Sequence, residues 1–180
     1  MIYVVAGNIR FPFSRLLLSM NKEKNAGNIS GELYGQYGSF RPEFKLDAFS
    51  FKRPMFPYQE HLTWIKEAEI VVSEAGEDII LLCLMMGKIP IILPRQKSFG
   101  EHVDNHQVGF ARKLEEWKKA IVVYNEDDLP SAIHTYSEQV KLCSAQLDPI
   151  AVNTANDFRV ELKNILEGEL YKELITMKIA

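Results

Sequence analysis

Three apolar runs, "IVVS" (70–73), "IPIILP" (89–94) and "AIVVY" (120–124), alternate with two runs of helical character, "EDIILLCLMMG" and "DNHQVGFARKLEEW". A strand that is apolar along its whole length has to be covered on both faces. Alternation with helices supplies that cover, and the arrangement that results is a parallel sheet between two helical layers. The opening run "IYVVAG" adds a further buried strand ending in glycine, and "FSRLLLSMN" follows it at helical spacing with Pro12 near its start, where proline is tolerated. The expected fold is therefore α/β, a Rossmann-like doubly wound parallel sheet.

The other segments fill in this frame. Residues 29–37 and 45–51 alternate loosely and are expected to be strands. Residues 57–69 form an amphipathic helix with Leu62, Ile65 and Ala68 on one stripe. "EDDLPSAIHTYSEQVKLC" is expected as one helix with its acidic residues in the first turn, where the helix dipole favours them. In the tail, Phe158, Leu162, Ile165, Leu166, Leu170 and Leu174 share a helical face. The expected division is a domain over 1–145 and a long C-terminal helix over 146–180, packed on that domain or on a partner.

Composition removes several functions. A chain of 180 residues with 47% hydrophobic content can bury one sizeable core. A net charge of −3 and no basic face argue against a nucleic-acid partner. Cys83 and Cys143 are too far apart in sequence for a metal pair and suit a reducing cytosol. The run "MIYVVAG" lacks a basic flank, so no signal peptide is expected. The longest apolar run, "IILLCLMMG", is about half the roughly 20 residues that span a bilayer. Work at a membrane would need another protein to hold the chain there.

Ligands of such sheets bind beyond the carboxyl ends of the strands. Three polar, glycine-bearing loops belong there: "AGNIRFPF", "SEAGED" and "RQKSFGEHVDNHQ". The helices that follow present free N–H groups suited to a phosphate. None of the loops is a Walker A or a G-x-G-x-x-G motif. His102 and His106 are spaced as zinc ligands on a helix would be, but Asp104 is expected to start that helix and cap it, leaving His102 outside; no metal is expected. Glu101 is open between loop structure and a site role. His61, beside Trp64, is read as a partly buried surface histidine, and no serine has the context of a nucleophile elbow.

Taken in order, "VVAGNIRFPFSRLL", "GQYGSFRPEF", "IKEAEIVVSEAG", "GKIPIILPR" and "GEHVDNHQ" resemble the C-terminal, nucleotide-sugar-binding half of glycosyltransferase family 28. The whole chain is similar to the family's single-domain subunits, such as those of bacterial exopolysaccharide pairs and of the eukaryotic dolichol-linked GlcNAc transferase. The resemblance covers roughly residues 1–130. It implies a GT-B half-domain that binds a UDP-sugar as donor substrate, with no cofactor and no metal. It also implies a membrane-anchored partner subunit that supplies the other half of the site and recruits a lipid-linked acceptor, and it leaves homodimerisation in isolation open. The place implied is the cytoplasm, peripheral at the inner face of the membrane. On this resemblance Gly7, Asn8, Gly76, Glu101, Asn105, His106 and Gln107 bind the donor, and Glu74 and His106 are the catalytic candidates.

The donor loop departs from the family pattern S-H-A-G-x-G-[ST]-x-x-E. Glu74 stands at the histidine, Asp78 at the second glycine, Ile79 at the hydroxyl residue and Leu82 at the carboxylate expected to hold ribose hydroxyls. Glu74, Glu77 and Asp78 would set three carboxylates where a diphosphate should dock, at a cost of several kcal/mol for like charges a few ångströms apart. Two readings follow: an active transferase subunit with an altered loop, or a non-catalytic relative that serves as a binding or scaffolding subunit.

Overall fold

The computed structural model describes residues 1–7, 10–39 and 45–145. The chain divides into two compact units, Met1–Cys143 and Ser144–Ala180. The expected tail helix lies outside the described residues, as does Asn8.

Six strands, β1 (Ile2–Val5), β2 (Leu33–Gln36), β3 (Phe49–Arg53), β4 (Ile70–Ser73), β5 (Ile91–Ile92) and β6 (Ile121–Val122), form one sheet in the order β3-β2-β1-β4-β5-β6. Every pairing is parallel. The helices are α1 (Ser14–Asn25), α2 (Tyr58–Glu67), α3 (Glu77–Met85), α4 (His106–Glu116), α5 (Leu129–His134) and α6 (Tyr136–Ala145). This is the doubly wound architecture expected from the apolar strands.

The pleat of β1 divides the core. Ile2 and Val4 join Leu16, Leu17 and Met20 of α1 and Leu129, Ala132 and Ile133 of α5 on one face. Tyr3 and Val5 join Ile65 of α2 and Ile79, Leu82 and Cys83 of α3 on the other. Each fully buried large apolar side chain contributes about 1.5–3 kcal/mol. Leu82 is thus a core residue on the inner face of α3 and is not available to ribose. Burial pushes the Cys83 thiol up to about 12, as an inert core thiol requires.

The expected helix over 126–143 is two helices. Pro130 is tolerated only in a first turn, so α5 starts at Leu129, after a 3-10 turn over Glu126–Asp128. α5 ends at Thr135, whose hydroxyl donates to Ser131 O at 2.8 Å, a bond that bends helices. The strand expected over 45–51 is β3 at 49–53. The residues before it turn on Asp47, whose Oδ1 accepts from the amides of Asn21 and Asn25.

From β1 the chain steps to β2 and β3 on one side, and β4 opens the other side. In register, Val5 pairs with Gln36 and with Ser73, so the chain leaves the three central strands at one level. The crevice beyond β1 and β4 is the switch point where such sheets bind ligands.

Candidate functional site at the carboxyl edge of the sheet

Gly7, the second residue after β1, has φ +73, a conformation that favours glycine. A Cβ there would collide with Glu74 Oε1 and stand 2.8 Å from Arg95 Nη2. Its carbonyl accepts from Gln36 Nε2 at 3.0 Å, and Gln36 Oε1 accepts from Phe56 N at 2.8 Å. Gly7 therefore makes room for a buried pair of charges.

That pair is Glu74, just beyond β4, and Arg95, just beyond β5. Arg95 Nε lies 2.7 Å from Glu74 Oε2, a contact of charge with no aligned hydrogen bond from Nε. Arg95 Nη2 donates to Ala6 O. Gln107, in the first turn of α4, joins the two. Its Nε2 donates to Glu74 Oε2 at 3.0 Å, and its Oε1 accepts from Arg95 N at 3.0 Å. All three side chains are buried. Burial raises the Glu74 pKa from its ordinary value, and Arg95 and Gln107 oppose the rise. Burial also lowers the Arg95 pKa, against the pull of Glu74 and Glu101. The expectation of three carboxylates facing a ligand changes accordingly: Glu74 is matched by a cation inside the protein.

A second buried ion pair holds the long loop after β5. Arg15 of α1 meets Glu101 in a fork, Nε to Oε1 at 2.9 Å and Nη2 to Oε2 at 3.0 Å. Arg15 also donates to Pro94 O, Tyr124 O and Glu126 Oε2, and Glu101 Oε2 accepts from Gln96 N. Asn105 Oδ1 accepts from Lys97 N at 2.9 Å, which closes the same loop. Both carboxylate oxygens of Glu101 are engaged by the protein itself.

The end of that loop carries His102, Asp104 and His106. α4 starts at His106, later than expected: Asn105, just ahead of it, spends its side chain on Lys97 N of the loop, and Asp104 reaches only the amide of His106. Asp104 Oδ1 accepts from His106 N at 3.0 Å, an Asx turn just ahead of the helix, and lies 2.5 Å from His106 Nδ1. The His106 amide and ring lower the Asp104 pKa below its ordinary value. The His102 and His106 rings meet edge to face at 4.4 Å.

These loops surround a cavity of about 560 Å³. Gly7, Glu74, Gly76 and Gln107 line it, as do Arg10, Arg95, Asp78, His61 and His102. His61 forms part of its inner wall, with Nδ1 2.8 Å from the Tyr3 hydroxyl. The size suits a small-molecule ligand. Met55, Tyr58 and Val103 line it while remaining about half or more exposed, so its mouth is apolar. A larger and more open hollow of about 820 Å³ lies against α1, but the polar groups of Arg15 and Glu101 in its wall are bonded to each other. The crevice is the better candidate because loops from β1, β4 and β5 converge on it.

Of the residues singled out in the sequence, Gly7, Glu74, Gly76 and Gln107 come together around one cavity, with His106 exposed beside it. Glu101 and Asn105 belong to the loop's internal bonding and do not line it. Arg95, Arg15 and Gln36 were missed. A lone arginine directly after "IPIILP" was the available signal, because a charge at the end of a buried strand needs a partner.

The family model for the glycosyltransferase family 28 C-terminal domain matches residues 1–158. Comparison with curated proteins gives no match. Among solved structures, the chain is similar to the glycotransferase of kitacinnamycin, with TM-score 0.55 and 18% identity over 99% of this chain and 43% of that one. It is also similar to MurG of Acinetobacter baumannii, with TM-score 0.50 and 15% identity over 77% of this chain and 40% of that one. The chain thus spans less than half the length of either, and the likeness is one of fold.

Proposed function

The chain belongs to glycosyltransferase family 28 through that family's C-terminal domain, and on that premise we propose that it is the donor-binding half of a two-part hexosyltransferase. The donor is a UDP-sugar and the acceptor a lipid-linked hydroxyl in polysaccharide or glycolipid assembly. A membrane-anchored partner supplies the other half of the site and holds the chain at the inner face of the membrane.

The observation that carries this reading is the cavity at the switch point, polar within and apolar at its mouth. A polar interior suits a nucleotide sugar. Exposed Met55, Tyr58 and Val103 suit a surface that another protein or a lipid chain covers. No helix among the described residues is long and apolar enough to cross a membrane, so on this reading attachment falls to the partner.

The Asp104–His106 pair supplies the proton transfer. With Nδ1–H donating to Asp104, the Nε2 lone pair of His106 is free to accept the acceptor's hydroxyl proton. The acceptor oxygen then bonds to the sugar's anomeric carbon, the bond from that carbon to the phosphate oxygen breaks, and UDP leaves with the electron pair. Glu74, engaged by Arg95 and Gln107, is a positioning residue on this reading, and His106 is the base.

The test is transfer by the chain co-purified with its partner from labelled UDP-glucose, UDP-galactose or UDP-GlcNAc to a lipid acceptor. Replacement of His106 by alanine should lower turnover by about 10²–10⁴-fold. Full turnover by the variant removes His106 from the chemistry. One feature favours the non-catalytic alternative: Glu77 and Asp78 fill the first turn of α3, where a phosphate would otherwise dock. Absence of both donor binding and transfer in the intact pair would establish that alternative.

A further inference from the structure

We propose that His102, Asp104 and His106 form a binding site for a divalent transition-metal ion at the mouth of the cavity. Each offers one ligand atom, and the three atoms lie within 4.8 Å of one another. Asp104 Oδ1 is the hub, 3.5 Å from His102 Nδ1 and 2.5 Å from His106 Nδ1. Ligands at about 2.0–2.2 Å from zinc stand roughly 3–3.5 Å from each other. The His102 arm already fits. The His106 arm is a hydrogen bond that the ion would replace, and Asp104 and His106 are exposed enough to open by the small distance needed.

A second observation points the same way. His102 Nδ1 is shielded from solvent and makes no well-aligned hydrogen bond among the described residues, with Asp104 Oδ1 at 3.5 Å as its charged neighbour. A buried ring nitrogen left in that state costs free energy, and a bound cation removes the cost. The ring is also held in place, against Phe11 at 5.8 Å on one side and His106 on the other. Two imidazoles and one carboxylate are a ligand set that suits zinc, cobalt or nickel ahead of magnesium or calcium.

Occupancy would change what His106 can do. An ion on Nδ1 of a neutral imidazole leaves the proton on Nε2, so the ring donates a hydrogen bond and no longer accepts a proton. This consequence rests on the role proposed for His106; the metal site itself does not. The ion would act as an off-switch for transfer.

The test is titration of the full chain with cobalt(II), followed by its visible absorption, and with zinc(II) by calorimetry. One ion per chain is expected. His102→Ala, Asp104→Ala and His106→Ala should each weaken binding at least tenfold, since loss of even an outer-shell partner costs about 10–100-fold. His102→Gln provides a milder change should His102→Ala fail to fold. His134→Ala and Cys143→Ser should bind as the parent does. Binding that survives all three cluster variants, binding lost with His134→Ala or Cys143→Ser, or no binding by the folded chain overturns the proposal. Where the transfer assay works, zinc should suppress turnover and a chelator restore it; the titration stands without that assay.

Discussion

Arg95 Nε sits 2.7 Å from Glu74 Oε2, with the two side chains only 3% and 9% exposed, so each is the other's counter-ion in a place water scarcely reaches. Breaking such a pair from one side strands a buried charge. Arg95→Met should lower stability by about 3–5 kcal/mol, and the double variant Glu74→Gln/Arg95→Met by clearly less. Urea unfolding measures both. Equal losses in the two would mean that packing, not charge, holds the corner together.

Glu74 and Asp104 should bend the pH dependence of stability in opposite directions. The folded-state pKa of Glu74 is raised above 4.5 by burial, so its folded form holds a proton the unfolded form has released. Its contribution is greatest below 4.5 and is lost as pH rises through the raised value. Asp104 is lowered below 3.8 by the His106 amide, so its contribution is present above 3.8 and lost as pH falls through the lowered value. Thermal unfolding from pH 3 to 8 should show Glu74→Gln gaining on the parent as pH rises. Asp104→Asn should fall behind the parent as pH rises toward 3.8 and keep that deficit unchanged above it. Parallel curves for parent and variants would refute both assignments.

Gly7→Ala should be costly twice over. The left-handed backbone costs a non-glycine residue about 1–2 kcal/mol, and the new Cβ would also displace the Glu74 carboxylate. Adding Glu74→Ala to Gly7→Ala should recover the steric share only. A double variant no better than the sum of its singles would show that backbone conformation is the whole effect.

Glu101→Gln should destabilise by about 1–3 kcal/mol, because Arg15 would lose a charged, two-pronged partner while keeping Glu126 and two carbonyls. The loop over 96–105 should exchange its amide hydrogens faster, since Gln96 N and Arg15 both depend on that carboxylate. Unchanged exchange would separate the ion pair from the loop's order.

For catalysis, Asp104→Ala should lower kcat while leaving KM within a few-fold, because it frees the His106 ring without touching the cavity wall. A rise in KM with kcat unchanged would place Asp104 in donor binding instead.

The sheet was legible because its evidence is local: strands buried on both faces must be apolar throughout, and β1, β4 and β5 are. The break at Thr135 was not, since a threonine hydroxyl bonding back to Ser131 looks in sequence like any helical threonine. The start of α4 was placed at Asp104 on good grounds, as aspartate caps helices. Only the fold shows that Asp104 reaches the His106 amide from one position too early. The site was half legible. Glycines, an amide and imidazoles in loops after buried strands marked the right edge of the sheet. What they bond to was hidden, because Glu74 and Gln107 are 33 positions apart and Arg15 and Glu101 are 86. Such pairings depend on strand order, which no local pattern encodes.

The bare Cβ position of Gly7, the Glu74 carboxylate and the Arg95 guanidinium occupy one small volume, and this bears on how the loop can evolve. The resemblance to family 28 places a histidine where Glu74 stands. Introducing it alone would leave Arg95 buried beside a ring that is neutral or cationic, and replacing Arg95 first would strand the carboxylate. Each single step leaves one buried charge without its partner. The corner behaves as a ratchet: its residues constrain one another's substitution, and exchanging Glu74 for the family's histidine calls for a coordinated change at Arg95.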